Sequence, residues 1–140
     1  MTKYTYDYPR PSVTVDMIVT RNVSSGVELL LIQRLNPPFK DQWALPGGFV
    51  DMDEALVHAA ARELAEETGL TDVELKQFKA YGEPGRDPRG HTISVVFIGQ
   101  VVHNVKATAG DDAKKVNWFN IKKLPPLAFD HNEIIGEAFI

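Results

Sequence analysis

The chain of 140 residues contains no cysteine. That excludes disulfides, thiolate nucleophiles and Cys-ligated zinc or iron–sulfur centres. It also suits a reducing cytoplasm, which is the expected compartment. Long apolar runs are missing too: no stretch reaches the roughly 18 residues of a membrane-spanning helix. The opening MTKYTYDYPRPS is polar and aromatic, without the apolar centre of a signal peptide. No membrane partner is therefore expected. Nor is positive charge in excess, because 15 Lys+Arg stand against 19 Asp+Glu for a net charge of −4. Without a global basic field no nucleic-acid partner is expected. A local basic pocket for a phosphorylated small molecule stays open.

What is present is ordinary in bulk. Apolar residues make up 44% and charged residues 24%, close to the globular average, which argues against disorder and fibrous structure. The length suits one domain with a hydrophobic core of its own. No repeat, low-complexity tract or long linker divides the chain, so residues 1–140 are read as a single domain.

Residues 12–20 (SVTVDMIVT) alternate as a strand does, and 28–34 (ELLLIQR) form a more continuously apolar one. Asn22 to Gly26 between them read as a hairpin turn. After a loop, WALPGGFV reads as a short strand broken at Pro46-Gly47-Gly48. The clearest helix is 53–68, with Asp53 as its N-cap, Glu54 in its first turn and Gly69 as its stop. Further strands are expected at 73–81, 92–102 and 114–119, and a second helix from about Asn132 to Ile140. Strands on both sides of a helix imply a mixed α/β sandwich.

The segment Gly47–Leu70, GGFVDMDEALVHAAARELAEETGL, carries the chemistry. Residues three and four apart share a helical face, so Glu63, Glu66 and Glu67 project together and repel. The stripe Leu56, Val57, Ala60 and Leu64 is left for the core. A solvated acidic face balanced by lysines is the plain explanation, but no lysine stands four residues away, and a double glycine precedes the helix. Clustered carboxylates without soft ligands suit a hard cation, Mg²⁺ or Mn²⁺. Glycines beside them let backbone carbonyls approach it. Such an ion bridges phosphate oxygens and acidifies a bound water, so metal-assisted hydrolysis of a phosphate anhydride follows.

The same stretch resembles the Nudix box, G-x5-E-x7-R-E-U-x-E-E-x-G-U, with U aliphatic. Gly48, Glu54, Arg62-Glu63, Leu64, Glu66-Glu67, Gly69 and Leu70 fill its nine specified positions without departure. The resemblance implies an α/β/α sandwich with a mixed sheet. It also implies hydrolysis of a nucleoside diphosphate linked to another group, with two to three Mg²⁺ or Mn²⁺ ions as cofactor. By the family pattern Glu63 and Glu67 are the principal metal ligands, Glu66 is a further ligand or polarises water, and the Gly47 carbonyl contributes as well. Gly48 and Gly69 have structural roles. Arg62 and Glu54 pair to orient the helix and its preceding loop.

Outside the box, PGRDPRG puts Arg86 and Arg89 in a Pro/Gly-rich loop, and arginine recognises phosphate through paired hydrogen bonds. A solvent-exposed turn is the competing view. With GDDA (110–113), WF (118–119) and LPPLAFDH (124–131), this loop resembles the Nudix subgroup tied to ADP-ribose and related sugars. That subgroup also supplies the sensor domain of regulators of NAD metabolism. Asp112, or its neighbour Asp111, matches a loop acid that serves some family members as metal ligand or general base. Arg34 at a strand end is a candidate for phosphate, and Phe129 and His131 for the border of a base or ribose pocket. Trp43 is assigned to packing.

The expected reaction is attack of a metal-activated water on a pyrophosphate bridge, giving AMP and ribose 5-phosphate from ADP-ribose. A cleanser of oxidised nucleoside triphosphates is one alternative. A non-catalytic nucleotide-sugar sensor is another, of a different class. The aromatic arm of Tyr4, Tyr6 and Tyr8 could serve a homodimer.

Overall fold

The computed structural model describes residues 2–102, 105–110 and 113–139. Among the described residues seven strands form one mixed sheet: β1 Ser12–Val23, β2 Gly26–Arg34, β3 Trp43–Ala44, β4 Gly47–Phe49, β5 Lys76–Tyr81, β6 Thr92–Val101 and β7 Ala113–Asn120. Two helices are added, α1 Leu56–Thr68 and α2 His131–Ala138. Each expected strand is present. Pro46 splits the WALPGGFV segment as its missing N–H requires, leaving β3 and β4 on either side.

The topology follows from the length of β1. Along one edge β1 runs parallel to β6 from Ser12↔Thr92 to Arg21↔Val101. Its other edge is shared: Thr14–Asp16 pair with Gly47–Phe49 of β4, and Thr20–Val23 pair with β2. The sheet therefore opens midway along β1, between β4 and β2. Strand β2 carries β3 and β7 on its remaining positions, and β5 closes the far edge against β6.

Alternation along β1 supplies both faces of the core. Val15, Met17 and Val19 pack with Ala59, Ala60 and Leu64 of α1. Ile18 points the other way, towards Ile134 and Ile135 of α2. Each fully buried leucine or isoleucine of this kind contributes about 1.5–3 kcal/mol. The result is helix, sheet, helix, as the sequence implied.

Helix α1 departs from expectation at its start. It begins at Leu56 after Ala55, which makes no side-chain cap. Asp53 is not the N-cap: with φ 62° it sits in a left-handed turn. In that turn Glu54 N–H donates to Asp51 O, and the Glu54 carboxylate accepts the Asp51 N–H at 3.0 Å. Glu54 is thereby turned towards Arg62 rather than into the first helical turn. Val57, expected in the core, is 47% exposed, and Ala59 takes its place. Moving the N-cap two residues on, from Asp53 to Ala55, does not change which residues are four apart, so the glutamate spacing survives. Gly69 ends the helix as expected, with φ 74° and its N–H on Ala65 O.

Candidate active site

A cavity of about 400 Å³ opens where β1 parts from β2. Its lining includes a carboxylate wall, the Gly47–Phe49 strand with Glu63 and Glu67 of α1, and an arginine wall of Arg34, Arg86, Arg89 and Phe129; the two meet where Arg89 lies 5.0 Å from the Phe49 ring. Acidic and basic groups thus meet across one space, though the residues come from five separate segments.

The α1 wall is built around Arg62. Its Nε and Nη2 donate to the two Glu54 oxygens at 2.7 and 2.9 Å. Nη1 reaches Glu63 at 2.8 Å and Glu66 at 3.3 Å, and Nη2 also donates to Phe49 O. The hydrogen bonds from Arg62 and from the Asp51 N–H hold the Glu54 carboxyl down to about 2. Arg62 is held protonated above its ordinary range, first by Glu54 and then by Glu63. One arginine therefore offsets much of the charge for which lysines were sought, and it also ties α1 to the strand end at Phe49.

The three glutamates do not act as one cluster. Glu63 and Glu67 line the cavity, and Glu67 is 7% exposed. Glu66 lies outside it, with its side chain 56% exposed and turned to Arg62. Helical geometry explains this: Glu63 and Glu67 are four apart and stack, whereas Glu66 is rotated off that line. Gly47 N–H points to Glu67 Oε2 at 3.5 Å. At Gly48 a Cβ would stand 2.3 Å from the Glu63 carboxyl carbon, so only a bare backbone lets this carboxylate approach the turn. Two carboxylates beside exposed backbone are hard oxygen donors and fit a hard divalent cation. Among the described residues no three Asp, Glu or His side chains converge in metal-binding geometry. Asp111 and Asp112 lie outside the described residues. Gly110, just before them, donates its N–H to Glu67 O at 3.0 Å, and its Cβ would meet Glu66 O at 1.6 Å. Glycine is required there.

The arginine wall is uneven. Arg86 is largely committed: its Nε and Nη2 grip Asp130 at 2.8 and 2.6 Å, and Nη1 donates to Thr92 O. Burial alone would lower Arg86, but its hydrogen bonds to Asp130 raise it. Arg89 forks onto Asp87 in the same way at 3.1 and 2.8 Å. Burial favours the neutral form of Asp87, and Arg89 outweighs it to hold the carboxyl low. Arg34 differs. Among the described residues its guanidinium hydrogen bonds run only to the carbonyls of Pro38 and Asn36. Burial and the nearby Arg89 lower it, against the pull of Glu67, Asp87 and Asp16. Phe129, in the left-handed region at φ 54°, lies between Arg34 and Arg89, 5.0 and 5.3 Å from its ring. A bulky residue is uncommon in that region.

His131, at the head of α2, also lines the cavity. It is 3% exposed, and burial pushes it down towards the neutral form against the pull of Asp16 and Asp130. Its Nδ1 accepts the Leu45 N–H at 3.0 Å. Its ring nonetheless lines the cavity beside Phe129, with the two ring centroids 5.4 Å apart. Trp43 packs edge-on against Phe119 at 4.8 Å, in agreement with a packing role. Asp16, Ser94, Asp87 and Asp130 were not anticipated. An isolated acid in an apolar strand, as in SVTVDMIVT, was the available signal for Asp16.

Comparison with known proteins now adds to this geometry. The NUDIX domain family matches residues 10–138. The chain belongs to that family. The ADP-ribose pyrophosphatase of Methanocaldococcus jannaschii is 47% identical to this Nudix chain over 130 residues, covering 93% of it and 74% of the relative. The ADPR responsive transcriptional repressor NtrR of Acinetobacter baylyi is 36% identical over 137 residues, and the chain spans only 55% of that relative. Among solved structures, the NUDIX domain of Shewanella oneidensis NrtR complexed with ADP ribose superposes with TM-score 0.89 at 31% identity, over 96% of this chain and 92% of that one. A bifunctional NMN adenylyltransferase/ADP ribose pyrophosphatase from Francisella tularensis, complexed with AMP and a Mn ion, gives TM-score 0.80 at 34% identity, over 96% of this chain and 42% of that one. Among the described residues no helix is long and apolar enough to cross a membrane.

Proposed function

We propose that this Nudix hydrolase cleaves the pyrophosphate bridge of ADP-ribose or a closely related nucleoside diphosphate sugar. Water adds to one phosphorus and the bridging P–O bond breaks, so that ADP-ribose yields AMP and ribose 5-phosphate. The observation that carries the reading is a single cavity of about 400 Å³ with Glu63 and Glu67 on one wall and arginines on the other. That polarity suits a diphosphate whose oxygens need cations on both sides.

Glu63 and Glu67, with the bare Gly47–Gly48 backbone, would hold two to three Mg²⁺ or Mn²⁺ ions. Such ions neutralise charge on the phosphate oxygens and lower the pKa of bound water. Arg62 orients Glu63, and Glu66 sits at the rim as a polarising charge. Arg34 is the principal phosphate contact, supported by Arg89. Asp112 is retained as a candidate general base. The archaeal pyrophosphatase and the ADP-ribose complex favour this substrate. A cytoplasmic homodimer completes the proposal, with the exposed Tyr4 and Tyr8 of the N-terminal arm available for a second copy.

A second reading is an ADP-ribose sensor without turnover, favoured by likeness to the Acinetobacter repressor. One assay separates the readings. The protein is given ADP-ribose, 8-oxo-dGTP, diadenosine polyphosphates and NADH with Mg²⁺, and products are identified. AMP and ribose 5-phosphate as the preferred products support the proposal. Preferred release of pyrophosphate from 8-oxo-dGTP overturns the substrate, and tight ADP-ribose binding without products overturns the enzyme in favour of the sensor.

A further inference from the structure

Three polar side chains lie buried together where the sheet meets α2. Asp16 on β1, Ser94 on β6 and His131 at the head of α2 are 8%, 0% and 3% exposed. Polar groups this deep are costly unless hydrogen bonds meet them. Ser94 Oγ donates to Asp16 Oδ2. His131 Nδ1 accepts the Leu45 N–H at 3.0 Å, so this nitrogen carries no proton and Nε2 carries it instead. Nε2 faces Asp16 Oδ1 at 3.7 Å. The ring is thus held at Nδ1 by the Leu45 N–H, with Nε2 turned towards Asp16 beyond direct hydrogen-bond distance.

What this arrangement holds is the turn between β3 and β4. Leu45 is bound from one side by His131, and Pro46 O accepts the Met17 N–H at 2.8 Å. Asp16 is the ladder partner of Gly47, and its Oδ1 stands 2.2 Å from where a Gly47 Cβ would be. From this turn the Gly47 N–H points to Glu67. The chain of contacts therefore runs from α2, through Asp16 and Leu45, to the carboxylate wall on α1.

We infer that His131, backed by Asp16 and Ser94, is a positioning residue that fixes the Leu45–Gly47 turn and thereby the backbone beside Glu67. Its kinetic consequence rests on the hydrolytic reading above, whereas its structural consequence does not. Two variants divide the ring by function. His131→Asn places an amide oxygen near the position of Nδ1 and keeps the acceptor for Leu45. His131→Gln carries its amide towards Nε2 and loses that acceptor.

The expected result is a roughly 10–100-fold fall in kcat for H131Q with KM nearly unchanged, and recovery of most of that loss in H131N. Hydrogen exchange of the Leu45 amide should accelerate in H131Q and stay slow in H131N. Equal losses in both variants, or a loss that falls on KM alone, would overturn the inference. If neither variant folds, ring ¹⁵N spectra of the wild-type protein decide. A neutral ring protonated on Nε2 supports the assignment, and protonation on Nδ1 rejects it. If the wild type hydrolyses nothing, the hydrolytic reading fails by itself, and the exchange and ring spectra still judge the positioning role.

Discussion

The two walls of the cavity are built by different rules. On the α1 wall, Arg62, Glu63 and Glu67 lie within six consecutive residues of one helix, where helix geometry brings them together at fixed spacing, and Glu54 joins them from the turn just before it. On the arginine wall, Arg86 meets Asp130 across 44 positions of sequence, and Arg34 arrives from a third segment. A wall made within one helix survives changes elsewhere as long as the helix forms. A wall assembled across the chain depends on each long-range pair that holds it. The α1 wall should therefore lose chemistry before stability when altered, and the arginine wall should divide between binding and stability.

The largest effect is expected at Glu67. Glu67→Gln keeps shape and volume but removes the charge that faces the turn. Turnover of ADP-ribose should fall by roughly a hundredfold to ten-thousandfold, with Tm shifted by less than about 4 °C. Steady-state kinetics and thermal melts on the same preparation check both halves. Near-normal turnover with Mg²⁺ would remove Glu67 from the chemistry and undo the contrast.

On the other wall Arg34 and Arg86 should behave oppositely. The Arg34 guanidinium hydrogen-bonds only to carbonyls among the described residues, so Arg34→Ala is expected to cost the proposed contact with substrate phosphate. KM should rise roughly 10–100-fold, as for a charge-assisted hydrogen bond of about 1.5–3 kcal/mol. Arg86 is 7% exposed and forked onto Asp130. Arg86→Ala leaves that carboxylate without its partner, at a cost of about 3–5 kcal/mol, which lowers Tm by on the order of 10 °C. The double variant Arg86→Ala with Asp130→Asn should recover part of the lost stability. A large KM effect in R86A with unchanged Tm would move Arg86 to the binding side.

The same division explains what the sequence could reveal. The order of strands and helices was readable because apolar alternation and the Gly69 stop are local signals. The Glu54–Arg62 pairing was readable only through the resemblance, since nothing in their spacing of eight dictates contact. Asp53 misled because an acid before an alanine-rich run suits an N-cap, while the turn that delivers Glu54 to Arg62 uses the same residue at positive φ. Glu66 is turned out beside Arg62 because its neighbour Glu67 is rotated from it by about 100° around the helix, which adjacency in sequence hides. Arg86–Asp130 and Asp16–Ser94 were invisible because their partners lie 44 and 78 positions away. Distance in sequence, more than residue type, set the limit.

The smallest effect sharpens the α1 wall itself. The Glu54 carboxyl is held from 4.5 down to about 2 by the hydrogen bonds of Arg62 and of the Asp51 N–H. A carboxyl depressed in the folded state binds fewer protons there than in the unfolded chain. Its contribution is therefore complete above pH 4.5 and is lost as pH falls towards about 2. Glu54→Gln removes that titration, so Tm should fall less steeply with acid across this window than in the wild type. The difference should be small, because Arg62 keeps Asp51, Glu63 and Glu66 within reach when Glu54 is gone. Solvent and salt also screen charges this near the surface. Melts at low and high ionic strength between pH 5 and pH 3 would measure it. Identical acid profiles for both proteins at low salt would show that Arg62 holds α1 through its other carboxylates and through Phe49 O alone.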